Sequence, residues 1–195
     1  MNPDPPVGLL LLTGGQGRRL GGPKHLRPHP GGGSWGGHLV QVFETVFPGG
    51  PVQLLGEPLP DRPELARVAD PRQGPAVALR TWAGGAGAAA AARWWVPACD
   101  QVRWTAPALA AWHAQALAVD PGAECWVLAS RAGRVQYLGG WVARGILASL
   151  GGTAGARMAD LAAAVASLVV EQDGPEWGDL DDPAELSAWM ESWKG

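Results

Sequence analysis

The first readable pattern in the chain is an unbroken apolar run, Val7 to Leu12, that stops at Thr13-Gly14-Gly15. A run without polar alternation suits a strand covered on both faces, as in a parallel sheet between helices. Leu39, Val42, Phe43, Val46 and Phe47 then recur at helical spacing and give one buried stripe. Further strands are predicted at Val52 to Leu55, Ala66 to Ala69, Arg93 to Pro97, Cys125 to Ser130, Arg134 to Leu138 and Ser167 to Val170. Helical stretches near 75–83, 105–118, 140–150 and 156–166 alternate with them. Such alternation predicts an α/β fold in three layers, α/β/α. The last helix carries the clearest start signal: Asp182 as N-cap, Pro183 in the first helical position and Glu185 at N3, ahead of an apolar stripe of Leu186, Trp189, Met190 and Trp193.

Composition narrows the possibilities. At 195 residues and 47% apolar content, the chain buries one substantial core, so residues 1–195 are expected to form a single domain. Its formal charge of -3 and the lack of a long basic run argue against a nucleic-acid groove and against an anionic membrane surface. Cys99 and Cys125 stand far apart and outside any CxxC pair, which indicates neither a disulfide framework nor a zinc knuckle and points to the cytoplasm. The leucines at 9–12 follow Asp4 and three prolines, with no basic flank, and are too few for a signal sequence or a membrane span. RPHPGGGSWGG at 27–37 and AGGAGAAAAA at 83–92 are biased in composition but too short to link domains.

Candidate chemistry concentrates in LLLLTGGQGRRLGGPKHL, residues 9–26, where a strand passes through glycines into Arg18, Arg19, Lys24 and His25 with no acid among them. A dinucleotide fingerprint would need glycine at position 20, where Leu20 stands. A Walker A loop would need Gly-Lys-Ser/Thr, where Gly22-Pro23-Lys24-His25 stands. What remains is backbone laid bare by glycine, with a guanidinium and an ammonium able to neutralise phosphate oxygens. The residues alone fit either a polyphosphate cradle or a glycine-rich turn with solvated cations.

TGGQGRRLGGPKHL resembles the (A/T)GGxSxRMGxxK signature of the nucleotidyltransferases, and most closely the molybdenum cofactor guanylyltransferases, the MobA-like family. RQGPAVAL at 72–79, VPACDQV at 96–102 and GDLDDPAEL at 178–186 resemble that family's later motifs, in the family's order. The resemblance implies a Rossmann-like, mostly parallel sheet of the nucleotidyltransferase type. It implies transfer of GMP from GTP to molybdopterin with release of pyrophosphate, dependent on Mg²⁺, with molybdoenzymes or their chaperones as further partners. By the same resemblance Gly14, Gly15, Gly17, Arg19 and Lys24 would line the triphosphate, with Thr13 and the loop backbone facing the base. Asp70 would lie on the nucleotide side, Gly74 to Ala78 would bring backbone close to the nucleoside, and Asp100 would hold Mg²⁺. Arg19, Lys24 and Asp100 would be the catalytic set, offsetting the repulsion between two reacting anions.

The chain also departs from the family pattern. Pro23 precedes the loop lysine where aspartate is usual, a pairing more typical of cytidylyl- and sugar-nucleotide transferases, which leaves the base open. Val102 replaces a proline, and Gln136-Tyr137 replaces a Gln-Pro pair. Asp179 and Asp181 stand where asparagines are common, with Arg157 a candidate cation to neutralise them, and this leaves the acceptor open. A CTP- or other NTP-dependent transferase with a different acceptor, and a catalytically impaired nucleotide-binding adaptor, are the alternatives. His25 and His29 read as loop histidines rather than zinc ligands, because Pro28 and Pro30 exclude a helix presenting both. Cys99 and most of the tryptophans read as core.

Overall fold

A computed structural model describes residues 6–15, 17, 20–150, 157–180 and 182–193. Among them seven strands make one sheet: β1 (Val7–Leu12), β2 (Val52–Leu55), β3 (Ala66–Val68), β4 (Arg93–Val96), β5 (Trp126–Arg131), β6 (Arg134–Ala143) and β7 (Ser167–Glu171), in the order β3-β2-β1-β4-β6-β5-β7. All pairings are parallel except those of β6, which runs against β4 and β5. Helices α1 (Trp35–Val46) and α3 (Ala106–Val119) cover one face, and α2 (Pro75–Ala83), α4 (Arg144–Leu150) and α5 (Met158–Ala163) cover the other. This is the three-layer α/β/α architecture that the alternation predicts.

Strand β1 shows why the apolar run reads as it does. Leu9 and Leu11 point into the α1/α3 layer and Leu10 into the α2/α4/α5 layer, all three at 0% exposure. Each such burial is worth about 1.5–3 kcal/mol. Gly8 pairs with Trp94 of β4, and its missing side chain is what lets the Trp94 indole lie against β1. Trp94 and Trp95 face opposite layers, and both are fully buried.

The predicted helix at 140–150 is corrected at its start: residues 140–143 complete β6, and α4 begins at Arg144. Gly139-Gly140 looks like a break in the sequence, but Gly139 sits at φ 84 inside the strand, and the β5–β6 register shifts between Val127 and Ala129. The carbonyl of Gly139 accepts from the indole nitrogens of Trp95 (2.9 Å) and Trp112 (3.0 Å), so the irregularity is held by two buried tryptophans. The helix predicted at 156–166 is shorter in its described part, Met158–Ala163.

The last helix, α6 (Pro183–Ser192), starts as its cap signals predict, with the Asp182 carboxylate accepting from Ala184 N at 2.7 Å and Glu185 N at 3.4 Å. Its Leu186 and Trp189 pack on a small separate cluster of Leu20, Trp35, Val102 and Leu180. The helix thereby rests on the end of the glycine-rich loop, although Trp193 remains 51% exposed. No helix among the described residues is long and apolar enough to cross a membrane.

The histidines are more deeply embedded than a loop reading implies. His25 and His29 are both buried, and the His29 ring stacks flat on His38 with centroids 3.8 Å apart and accepts from Gly31 N through Nδ1 at 3.0 Å. Burial first, and the neighbouring His38 second, push the His29 pKa down from 6.5 to about 4. Burial likewise takes His113 to about 4, with the Arg93 charge adding to it. Because the folded pKa lies below the unfolded one, the unfolded chain binds more protons between pH 6.5 and about 4. Stability from these two groups is therefore complete above about pH 6.5 and is lost as pH falls towards 4. Thermal unfolding followed across this range should show the melting temperature falling on the acid side, and a His29→Gln/His113→Gln variant should show a shallower fall. An equal slope in that variant would place the acid sensitivity elsewhere.

Candidate active site

The chain leaves β1 towards β2 on one side, and β4 lies on the other, so β1 and β4 flank the point where the strand order reverses. In open α/β sheets a crevice opens there, outside the carboxyl ends of the strands. Backbone bonds fix the edge of it: Leu12 N donates to Pro97 O at 3.1 Å and Thr13 N to Leu55 O at 2.9 Å. A cleft of about 630 Å³ lies over this edge, within the range of small-molecule sites. Gly14, Gly15, Gly17, Lys24, Asp70, Gly74 and Asp100, predicted from three separate stretches of the chain, all line it.

The loop geometry explains its glycines. Gly17 sits at φ 56, and its carbonyl accepts from Leu20 N (3.0 Å) and Gly22 N (3.2 Å), while an added Cβ would collide with the Gly22 carbonyl. The Asp70 carboxylate packs so closely against Gly14 that a Cβ there would strike Oδ2. Asp70 Oδ1 accepts from Arg72 N at 2.8 Å, closing the turn that leads to Gly74 at φ 97 and to Pro75 in the first turn of α2. The unbonded amides at the start of α2 therefore open on the same cleft as the loop.

Asp100 follows β4, and Lys24 belongs to a single 3₁₀ turn after the glycine loop. Lys24 Nζ donates to Asp100 Oδ2 at 2.7 Å, with the two side chains only 14% and 17% exposed. The other carboxylate oxygen, Asp100 Oδ1, is buried and has no hydrogen-bond partner. Gln101 steadies this corner: its Oε1 accepts from Ala98 N at 3.2 Å and its Nε2 donates to Leu138 O at 3.2 Å. Cys99 is buried beside it, and burial, reinforced by the charge of Asp100, pushes its thiol well above the ordinary range. A sulfur held protonated in this way acts as core rather than as nucleophile.

Among the described residues no cluster of three or more His, Cys, Asp or Glu side chains could hold a metal ion by itself. A hard divalent cation bound mainly by substrate phosphates and water needs only one or two carboxylate oxygens from the protein. Asp100 lines the cleft, and its carboxylate, with Oδ1 buried and unpartnered, is a ligand of that kind.

Not every predicted residue sits as expected. Thr13, predicted to face the base, is fully buried, and its hydroxyl donates to Glu57 O at 2.7 Å; it ties the end of β1 to the chain beyond β2 instead of lining the cleft. Arg19 and Asp181 lie outside the described residues. Arg157, the candidate cation for the closing motif, caps α5 and pairs with Asp160 at 2.8 Å. The guanidinium groups of Arg103 and Arg131 stand against Gly178, next to Asp179, so the segment after β4 and the end of β5 each bring a cation beside the closing motif. Leu180 N donates to Asp100 O at 3.1 Å and pins that motif to the site. Val102 fills the cluster beneath α6, which accounts for the lost proline as a packing change. Arg72 was not singled out by sequence, yet it lines the cleft at φ 58 and bonds Glu57 at 2.8 Å. A cation placed just before a Gly-Pro helix start was the available signal.

Solved structures share this fold. Rv0371c from Mycobacterium tuberculosis superposes with a TM-score of 0.67 at 20% identity, covering 95% of this chain and 98% of that one. A second structure of Rv0371c is a complex with manganese, with a TM-score of 0.62 at 18% identity, covering 96% of this chain and 99% of that one. Molybdopterin-guanine dinucleotide biosynthesis protein A from Archaeoglobus fulgidus gives 0.71 at 13% identity, covering 96% and 98%. The 2-C-methyl-D-erythritol 4-phosphate cytidylyltransferase of Thermus thermophilus gives 0.63 at 13% identity, covering 97% and 100%. At such identities these likenesses establish the fold alone. No curated protein shows a significant sequence match. Residues 9–169, however, match the MobA-like NTP transferase domain across most of the chain and across the whole glycine-loop and Asp100 region. The protein belongs to the MobA-like NTP transferase family, a family of nucleotidyltransferases.

Proposed function

We propose that this cleft binds GTP with Mg²⁺ and transfers GMP to molybdopterin, releasing pyrophosphate. The observation that carries the reading is the Lys24–Asp100 pair, which sets one ammonium beside one carboxylate, with its Oδ1 unpartnered, in the wall that the glycine loop also lines. The amides of Gly14, Gly15 and Gly17 and the start of α2 suit the phosphates, Lys24 adds a positive charge, and Asp70 and Arg72 stand on the nucleotide side. Bound at Asp100 Oδ1, Mg²⁺ would supply charge neutralisation of the triphosphate. An oxygen of the acceptor's terminal phosphate attacks the α-phosphorus as the bond to the bridging oxygen breaks, and pyrophosphate leaves with that electron pair. The attacking oxygen is already ionised, so no protein base is required. Lys24 and the loop amides hold the leaving phosphates while charge gathers on them. Arg103 and Arg131, beside Gly178, suit the acceptor's anionic end and offset the acidic closing motif. Residues 1–195 act as one domain in the cytoplasm, with molybdoenzymes or their chaperones receiving the product.

A transferase using CTP is the second reading, favoured by Pro23 ahead of Lys24. Purified protein mixed with Mg²⁺, molybdopterin and either GTP or CTP, with pyrophosphate release and product mass measured, decides between them. GMP-molybdopterin from GTP alone supports the proposal; a cytidylyl product, or no product with either nucleotide, contradicts it.

Lys24→Ala removes a charge-assisted phosphate contact, which should weaken nucleotide binding about ten- to a hundredfold. Equal GTP affinity in the variant would reduce the loop to a turn.

A further inference from the structure

A second cavity lies at the opposite ends of the central strands. Arg93 is the first residue of β4, and Asp100 lies beyond that strand's other end, so the two cavities open at opposite ends of one strand. The second cavity measures about 470 Å³, and Val7, Leu117, Pro121 and Ala123 give it apolar walls. Arg93 and Arg144 supply its charge, and His113 lines it as well.

Arg93 is unusual. It is 2% exposed, and its Nη2 donates to the carbonyl of Asp120 and, at 2.8 Å, to the Asp120 carboxylate. That carboxylate also accepts from Glu124 N at 3.0 Å and Cys125 N at 3.1 Å, so its lone pairs are well used within the 120–125 turn. Nε and Nη1 of Arg93 are buried with no acceptor. A buried guanidinium with unused donors is costly unless an acceptor satisfies it. Among the described residues the lining itself holds no acid; of its two guanidinium groups Arg93 is already paired with Asp120, and the Glu124 carboxyl group stands against Gly122 at its edge. His113 is neutral at pH 7, because burial lowers its pKa to about 4, so it adds no further charge.

We propose that this cavity is a second ligand site, which takes a small organic monocarboxylate whose apolar body sits against Leu117, Pro121 and Ala123 while its carboxylate accepts from Arg93 and Arg144. With Arg93 partly offset by Asp120 and Glu124 close by, the pair of guanidinium groups matches one carboxylate better than a phosphate dianion, and the apolar walls match a carbon skeleton better than a bare inorganic ion.

Sodium benzoate is a suitable probe, titrated by calorimetry or ligand-observed NMR with the whole protein. Binding is expected with a dissociation constant of about 0.1–1 mM. Benzamide, its neutral counterpart, and inorganic phosphate should each bind at least about tenfold more weakly. Saturating GTP should not displace benzoate, which separates this site from the nucleotide cleft and makes the test independent of the proposed transfer. Arg93→Met should abolish binding. If that variant does not fold, Arg144→Gln and Leu117→Glu, at positions on the rim, keep the test open: the first should weaken benzoate about fivefold or more and the second should abolish its binding. No benzoate binding to the wild-type protein, equal binding of benzamide, tighter binding of phosphate, displacement by GTP, or unchanged affinity in both rim variants would each overturn the proposal.

Discussion

Replacing Asp100 by Asn is expected to lower nucleotidyl transfer at least about a hundredfold while leaving the fold intact, a loss typical of removing one electrostatic partner of the transition state. The physical reason is local. Asp100 carries the unpartnered Oδ1 and holds the Lys24 ammonium through Oδ2 at 2.7 Å. An amide of the same size keeps the packing beside Cys99, but it no longer anchors Lys24 by charge and is a poor ligand for a hard cation. Steady-state turnover over a magnesium titration, with circular dichroism as the check on folding, measures this. Turnover within a few-fold of wild type and an unchanged magnesium dependence would mean that another carboxylate has this role.

Gly17→Ala is the second large effect, and it acts through backbone rather than charge. Gly17 lies at φ 56, and the added methyl would collide with the carbonyl of Gly22, whose amide bonds back to Gly17. A left-handed non-glycine residue costs about 1–3 kcal/mol, and a backbone collision adds to that, so the loop must rearrange. Because Lys24 follows the loop within seven residues, rearrangement displaces both the amides and the ammonium. Nucleotide affinity should fall about thirtyfold or more, while thermal stability drops only a few degrees, since the loop lies outside the sheet. The unaltered site at Gly15, where a Cβ meets nothing within 4 Å, provides the control: Gly15→Ala should bind far better than Gly17→Ala. Equal affinities in the two variants would contradict this picture of the loop.

The parts of the structure that sequence made legible are those governed by local rules. The apolar β1 run, the α6 cap and the 75–83 helix behind Gly74-Pro75 all appear where side-chain pattern and turn chemistry predict them. The gathering of Gly14, Lys24, Asp70, Gly74 and Asp100 on one cleft was legible because the motifs occur in order and an α/β sheet brings its carboxyl ends together. What escaped depends on contacts distant in sequence. β6 continues through Gly139-Gly140 because Trp95 and Trp112 bond the Gly139 carbonyl from other elements. Thr13 turns away from the cleft because the Glu57 carbonyl offers its hydroxyl an acceptor. The stacking of His29 on His38 needs α1 to lie against the 27–34 loop, which no local spacing announces. Arg72 was visible only as one cation among several until its turn brought it to the cleft.

The cleft beneath the glycine loop should bind a nucleoside triphosphate through Lys24 and loop backbone. Calorimetric titration with GTP, CTP, ATP and UTP in the presence of Mg²⁺ is the decisive measurement; calorimetry is preferable to fluorescence because none of the described residues lining the cleft is a tryptophan. Saturable binding of GTP is expected, with weaker binding of the other three and a loss of about ten- to a hundredfold in Lys24→Ala. Failure of all four nucleotides to bind, or GTP affinity unchanged in Lys24→Ala, would contradict it.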